Sequence, residues 1–169
     1  TNAAGCDSII TLNLTLNHST TGIDVQTACD TYTWIDGNVY TASNNTATYT
    51  LLNAAGCDSI VTLNLTIQSS PTTNAGTDAT ICEDVSYSLS GVVSNEQNLL
   101  WTTSGDGIFD DATIAGATYT PGVSDIGSGS AVLTLTAYSI APCNNDSVDS
   151  MVLTIQQLPV ANAGADDQV

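Results

Sequence analysis

The sequence predicts an all-β protein built of tandem β-sandwich modules. Three observations carry that expectation: period-two alternation of apolar residues, turn residues at short intervals, and an internal repeat. The repeat is the plainest. Residues 2–16 read NAAGCDSIITLNLTL and residues 53–67 read NAAGCDSIVTLNLTI, an offset of 53 − 2 = 51. A fainter echo joins Asn74-Ala75-Gly76 and Asp78 to Asn162-Ala163-Gly164 and Asp166, an offset of 162 − 74 = 88. Fixed offsets of this size mark a repeat architecture.

These offsets divide the chain. Residues 1–17 read as the closing strand of a preceding repeat, 18–69 as a short β module, 70–158 as a longer sandwich, and 159–169 as the start of another module or a linker. Thr1 does not begin a secretory leader, which suggests a mature product or an excised portion.

The elements follow in order. Ile10, Leu12, Leu14 and Leu16 alternate with Thr11, Asn13 and Thr15. Val61, Leu63, Leu65 and Ile67 do the same with Thr62, Asn64 and Thr66. Such alternation puts the apolar set on one sheet face. Asp36-Gly37-Asn38 between Tyr32-Thr33-Trp34 and Val39-Tyr40-Thr41 predicts a hairpin. Thr46–Leu51 is a further strand. In the longer module, strands are expected around Val85–Leu89, Leu99–Trp101, Gly107–Phe109, Ala117–Thr120, Leu133–Ala137 and Met151–Ile155. No segment shows a helical period with caps. About seven short strands suggest a sandwich of immunoglobulin-like type, with Trp101 at its centre.

Charge removes several function classes. The 169 residues include 17 Asp and Glu but no Lys or Arg, for a formal net charge of −17. Nucleic-acid and anionic-membrane binding both draw on cationic side chains, so neither partner is expected. No stretch is apolar for long enough to span a bilayer, so no membrane insertion is expected. There is no Lys for a Schiff base and no Arg for a carboxylate or phosphate clamp. The one histidine, His18, follows a strand in Asn17-His18-Ser19-Thr20, with no sign of a triad around it. The expectation is a protein without enzymatic activity and with no required cofactor.

Five cysteines, Cys6, Cys29, Cys57, Cys82 and Cys143, form no C-x-x-C pair. Widely spaced in a β protein, they point to disulfides and an oxidising, extracellular compartment. The pairs that enclose each module's aromatic residues are Cys29 with Cys57 and Cys82 with Cys143. Cys6 is the repeat equivalent of Cys57. The partner it would need lies at 29 − 51 = −22, so Cys6 is expected to be unpaired here or bridged to a neighbouring module.

Acidic loops offer a candidate Ca2+ site. Asp106, Asp110 and Asp111 sit in one Gly-rich stretch, and Asp78, Asp166 and Asp167 near module junctions. Hard cations take several oxygen ligands from such loops; a solvated acidic turn is the competing reading. Asn-x-Ser/Thr signals for glycosylation occur at Asn13, Asn17, Asn44, Asn64 and Asn145.

The stretch ACDTYTWIDGNVYTASNNTATYTLLNAAGCDSIVTLNLTI resembles a repeat of giant secreted surface proteins of Bacteroidota. NAGTDATIC, LWTTSGDGIFDDATIAGATYTP and DSMVLTI resemble the PKD-like and Ig-like modules that accompany it. The resemblance implies tandem Ig-like/PKD-like sandwiches acting as spacer, structural or adhesive elements at the cell surface, with no catalytic residues to carry over. It also implies O-glycosylation of Ser between Asp and a small apolar residue, which here selects Ser8, Ser59, Ser147 and Ser150.

Two functions are therefore expected as alternatives. The chain is a structural segment of an extracellular fibre, joined head to tail to copies of itself or to adjacent repeats, with Ile10, Leu12, Leu14 and Leu16 as a donor strand. Or it is an adhesin module that binds glycans or other surfaces.

Overall fold

A computed structural model describes residues 3–7, 9–159 and 164. Fourteen strands and one short helix occupy the described residues, so the chain is all-β. None of the described helices is long and apolar enough to cross a membrane. The chain forms two compact units, one of residues Thr1–Gln26 and Thr33–Thr66, the other of Thr27–Tyr32 and Ile67–Val169.

In the first unit, β1 (Thr20–Cys29), β5 (Asp58–Gln68) and β4 (Thr48–Leu52) form one sheet with β5 in the centre. β4 and β5 are an antiparallel hairpin with Tyr49 opposite Val61 and Thr48 opposite Thr62. Its turn is made by the Asn53 side chain, whose Oδ1 accepts the N–H groups of Ala55 and Cys57 at 3.0 Å each. Gly56 takes φ +79° there, a left-handed conformation that glycine adopts without a Cβ clash. Gly5, its counterpart in the leading repeat, has the same φ of +79°.

β2 (Tyr32–Thr33) and β3 (Val39–Tyr40) are the hairpin that Asp36-Gly37-Asn38 predicts. The Asp36 carboxylate accepts the Asn38 N–H at 2.9 Å and the Tyr40 hydroxyl at 2.7 Å. The unit's core is small, comprising Trp34, Leu63 and Leu65 with Tyr49 edge-on to the indole at 6.4 Å. Asp24 on β1 accepts the Trp34 indole N–H at 2.7 Å, which satisfies a donor that burial would otherwise orphan.

The second unit is a sandwich. One sheet has the order β10 (Glu96–Thr103), β13 (Ser130–Ser139), β14 (Ser147–Gln156), β7 (Ala79–Cys82). The other is β11 (Ile108–Phe109), β12 (Thr118–Thr120), β8 (Tyr87–Ser88). β6 (Thr72–Asn74) and β9 (Val92–Ser94) pair separately. Both main sheets contribute to one core, with Trp101, Leu133, Leu135, Met151, Leu153 and Ile155 from the first and Tyr119 from the second. Period two is explicit on β14, where Met151, Leu153 and Ile155 are buried and the residues between them exposed. Trp101 lies in this core as expected, its indole N–H donated to the Ala115 carbonyl at 3.3 Å.

The structure departs from expectation at three points. The strand over Ile10–Leu16 is not formed in this chain. β1 and α1 (Val123–Ser128) were not foreseen. And the disulfide joins Cys29 to Cys143, not Cys29 to Cys57 or Cys82 to Cys143. The reason is strand direction. Cys57 immediately precedes β5, whereas Asp30, next to Cys29, donates its N–H to Gln68 at the far end of β5. Ten residues of strand rise is about 33 Å, far beyond the ~7 Å that a disulfide spans between Cα atoms. Likewise β7 runs parallel to β14 with Cys82 opposite Gln156, at the end of β14 remote from Cys143. Cys57 and Cys82 are free thiols, Cys82 exposed, and Cys6 is also exposed.

The observed bridge closes a sequence separation of 114 residues. Loop-closure entropy for that length is worth about 4–5 kcal/mol. Non-reducing peptide mapping is expected to link Cys29 to Cys143, and Cys143→Ala to lower the denaturation free energy by up to that amount. A variant as stable as the oxidised parent would refute the assignment.

Candidate functional site

The repeat presents one sequence in two states. In β5, Leu63 and Leu65 are 0% and 2% exposed between two flanking strands. Their counterparts Leu12 and Leu14 are 80% and 65% exposed, and Ile10 and Leu16 are as open. Residues 9–19 have no strand structure. What distinguishes the copies is therefore neighbours: β5 has β1 and β4 beside it, and the leading copy has neither.

The leading segment is held where it leaves the sheet. Asn53 Nδ2 donates to the His18 carbonyl at 2.9 Å, and Asn17 Nδ2 to the Ala55 carbonyl at 3.3 Å. The same Asn53 that forms the β4–β5 turn thus holds His18, just after the leading repeat segment.

The carboxylates of the acidic loop accept hydrogen bonds from nearby amides and hydroxyls. Asp106 accepts the N–H groups of Ser124 and Asp125 at the start of α1. Asp110 accepts the Thr118 N–H at 2.6 Å, and Asp111 both the N–H and hydroxyl of Thr113. These bonds, led by Ser124 for Asp106, by Thr118 for Asp110 and by the Thr113 hydroxyl for Asp111, hold all three carboxyls below the ordinary 3.8. Asp78 accepts the Val152 N–H at 2.8 Å. Among the described residues, no three His, Cys, Asp or Glu side chains are grouped so as to hold a metal ion. Asp166 and Asp167 lie outside the described residues.

Sequence reasoning missed the carboxylate at the centre of this region. Asp125 is 1% exposed. It accepts the Tyr119 hydroxyl at 2.6 Å, the Gly107 N–H at 2.9 Å and the Gly122 N–H at 3.0 Å. Tyr119 Oη in turn pairs with Thr103 Oγ1 at 2.8 Å. The loop glycines serve this packing. A Cβ on Gly105 would fall 1.5 Å from Asp125 Oδ1, and one on Gly107 2.3 Å from the Tyr119 hydroxyl. No local pattern in the sequence marks Asp125; only the fold brings it to Tyr119.

The glycosylation candidates are scattered. Asn13, Asn17, Asn64 and Asn145 are exposed, and Asn44 is half-buried with its Oδ1 accepting from Thr46 and Ala47. Ser59 and Ser147 are half-buried on strands, and Ser150 is exposed and paired with Thr134 at 2.9 Å. Ser8 lies outside the described residues.

No family model and no curated protein matches the chain. Among solved structures, the chain is similar to the two-domain DIP-gamma IG1+IG2, at 10% identity over 79% of this chain and 93% of that one, TM-score 0.46. It is similar to the PKD domain of the KIAA 1837 protein, at 23% identity over 54% of this chain and 92% of that one, TM-score 0.42. It is also similar to cadherin domains of protocadherin gamma B7, at 11% identity over 82% of this chain and 42% of that one, TM-score 0.41. Likenesses this distant carry no information about activity or partners.

Burial, and then the Asp125 carboxylate, push the Tyr119 phenol up from 10.0 to about 12. A raised native value means the folded state keeps a proton that the unfolded chain releases. This contribution is complete below pH 10 and is lost as pH rises through about 12. Phenolate absorbance should show Tyr119 titrating well above an ordinary tyrosine, near pH 12, and Tyr119→Phe should remove that step. Tyr119→Phe, which strips Asp125 of a donor while buried, should cost about 1–3 kcal/mol at neutral pH; an unchanged denaturation midpoint would contradict this.

Proposed function

We propose that this chain is a structural segment of an extracellular fibre or repetitive surface protein, joined head to tail through residues 9–16. The observation that carries the reading is the contrast between the two repeat copies. One is a central strand with buried leucines, and the other is an exposed row of the same side chains without a sheet. An amphipathic segment of this kind gains by adding to a neighbouring sheet, which pairs its backbone and covers its apolar row. Repeated head to tail, that contact grows a filament instead of closing a ring. The neighbour is another copy or an adjacent repeat.

The disulfide supports an oxidising, extracellular setting. The reading requires no catalytic centre and no cofactor. The adhesin alternative has less to stand on, since both tryptophans are buried and neither offers a stacking platform for a sugar.

The test is electron microscopy and light scattering of the protein at neutral pH in physiological salt. Linear assemblies are expected, and a Leu12→Asp, Leu14→Asp double variant should abolish them while leaving the circular dichroism of the strands unchanged. Uniform isolated particles, or assemblies that the double variant leaves intact, would sink the proposal.

A further inference from the structure

The Cys29–Cys143 bridge carries a carboxylate beside its more accessible sulfur. Asp30 Oδ2 lies 3.5 Å from Cys29 Sγ. Ser70 holds it there, donating its hydroxyl to Asp30 Oδ2 at 2.6 Å and its amide N–H to Oδ1 at 2.8 Å. Ser70 Oγ is itself 3.3 Å from Cys29 Sγ and 4.0 Å from Cys143 Sγ. The backbone bends to make this arrangement. Thr31 donates its N–H to the Cys29 carbonyl at 2.5 Å, and Asp30, at the centre of that tight turn, takes φ +58°. Outside glycine a positive φ is uncommon, and among the described residues only Asp30 and Asn95 show it. The Ser70 hydroxyl, and then its amide, hold the Asp30 carboxyl below the ordinary 3.8, so it is charged at neutral pH. All of these residues belong to the second unit.

We propose that Asp30 is an electrostatic guard of this bridge, turning away anionic thiols and leaving neutral or cationic thiols as its effective reductants. Thiol–disulfide exchange begins when a thiolate attacks one of the two sulfurs. Cys143 is 5% exposed and Cys29 half-buried, so the attack falls on Cys29. The incoming sulfur bonds to Cys29 Sγ, the Cys29–Cys143 bond breaks, and Cys143 leaves with the electron pair and takes a proton from water. A second thiolate attacks the external sulfur of the mixed disulfide, and Cys29 leaves as a thiolate that is protonated in turn. The bridge has then gained two electrons, and two external thiols have been oxidised to one disulfide.

Asp30 opposes the first step. Negative charge arrives with the attacking thiolate and spreads over three sulfurs, the central one 3.5 Å from a fixed carboxylate. The leaving sulfur finds no donor in the Gln68 carbonyl oxygen 3.3 Å away, and the Ser70 hydroxyl already donates to Asp30. Attack at Cys143 meets burial, and it would expel the Cys29 thiolate beside the same carboxylate. Glutathione, whose carboxylates add to the charge of its thiolate, is repelled most. Cysteamine, whose ammonium offsets its thiolate, is repelled least.

The test is the rate at which the folded, oxidised protein loses the bridge in excess glutathione, 2-mercaptoethanol or cysteamine. Timed alkylation of Cys29 and Cys143 reads the rate, corrected for the thiolate fraction of each reagent. Asp30→Asn is the informative variant, because asparagine accepts the left-handed conformation as aspartate does. It should speed reduction by glutathione about fivefold, the effect of removing one unit charge about 4 Å away in water. The acceleration should be smaller for 2-mercaptoethanol and smallest for cysteamine, with an unchanged circular dichroism spectrum. Asp30→Gly, also at ease at positive φ, should do the same, which guards against a folding defect in either variant. Salt near 1 M, where the Debye length falls to about 3 Å, should narrow the gap between parent and variants. Equal acceleration with all three reagents would mean a loosened turn, not a removed charge, and would overturn the proposal. Variants reduced by glutathione at the parent's rate would overturn it as well. Residues 9–16 play no part in this chemistry, so either result leaves the fibre reading standing.

Discussion

Without lysine or arginine, a carboxylate in this chain has no ammonium or guanidinium side chain to pair with, and much of the architecture is arranged around N–H and O–H donors instead. Asp24 takes an indole N–H, Asp36 a turn amide and a phenol, Asp106 the first amides of α1, Asp149 the Ala75 N–H and Asp125 three donors at once. These bonds fasten loops and turns in place, so charges that would repel become fixed points of the fold. Bonds to a charged acceptor are stronger than neutral ones. None of them depends on a cationic side chain.

The two repeat copies show how far a sequence determines its own strand. Leu12–Leu14 and Leu63–Leu65 have the same alternation and nearly the same flanks. Only the second copy has β1 and β4 to pair with. The left-handed glycine of the NAAGC turn needs no such help, since Gly5 and Gly56 share a φ of +79°. Local geometry recurs with the sequence, whereas a strand depends on company.

The same distinction separates what could be read in advance from what could not. β14, β13 and the Asp36 hairpin were legible, since alternation and turn chemistry are local signals. β1 was not, because its aliphatic residues point away from the core and its polar ones toward it. α1 spans only six residues and offers no period to detect. The acidic stretch at 104–111 was visible as a cluster of carboxylates, but its partners Ser124, Thr118 and Thr113 were not. The cysteine pairing failed for a geometric reason: Cys82 and Cys143 belong to opposite ends of β14, and Cys57 lies at the start of β5, away from Cys29. Nothing in the spacing of cysteines encodes the direction in which their strands run.

The 114-residue span of the Cys29–Cys143 bridge has a mechanical consequence. Tension applied to the two ends of the chain travels along residues before Cys29, crosses the sulfur atoms, and leaves along residues after Cys143. The polypeptide between them, which includes most of both cores, cannot be drawn out to its full length while the bond is intact. At about 3.5 Å per extended residue, roughly 400 Å of contour is thereby kept out of the load path. Reduction of the sulfurs would open that hidden length to tension, to be drawn out only as the sheets themselves unfold.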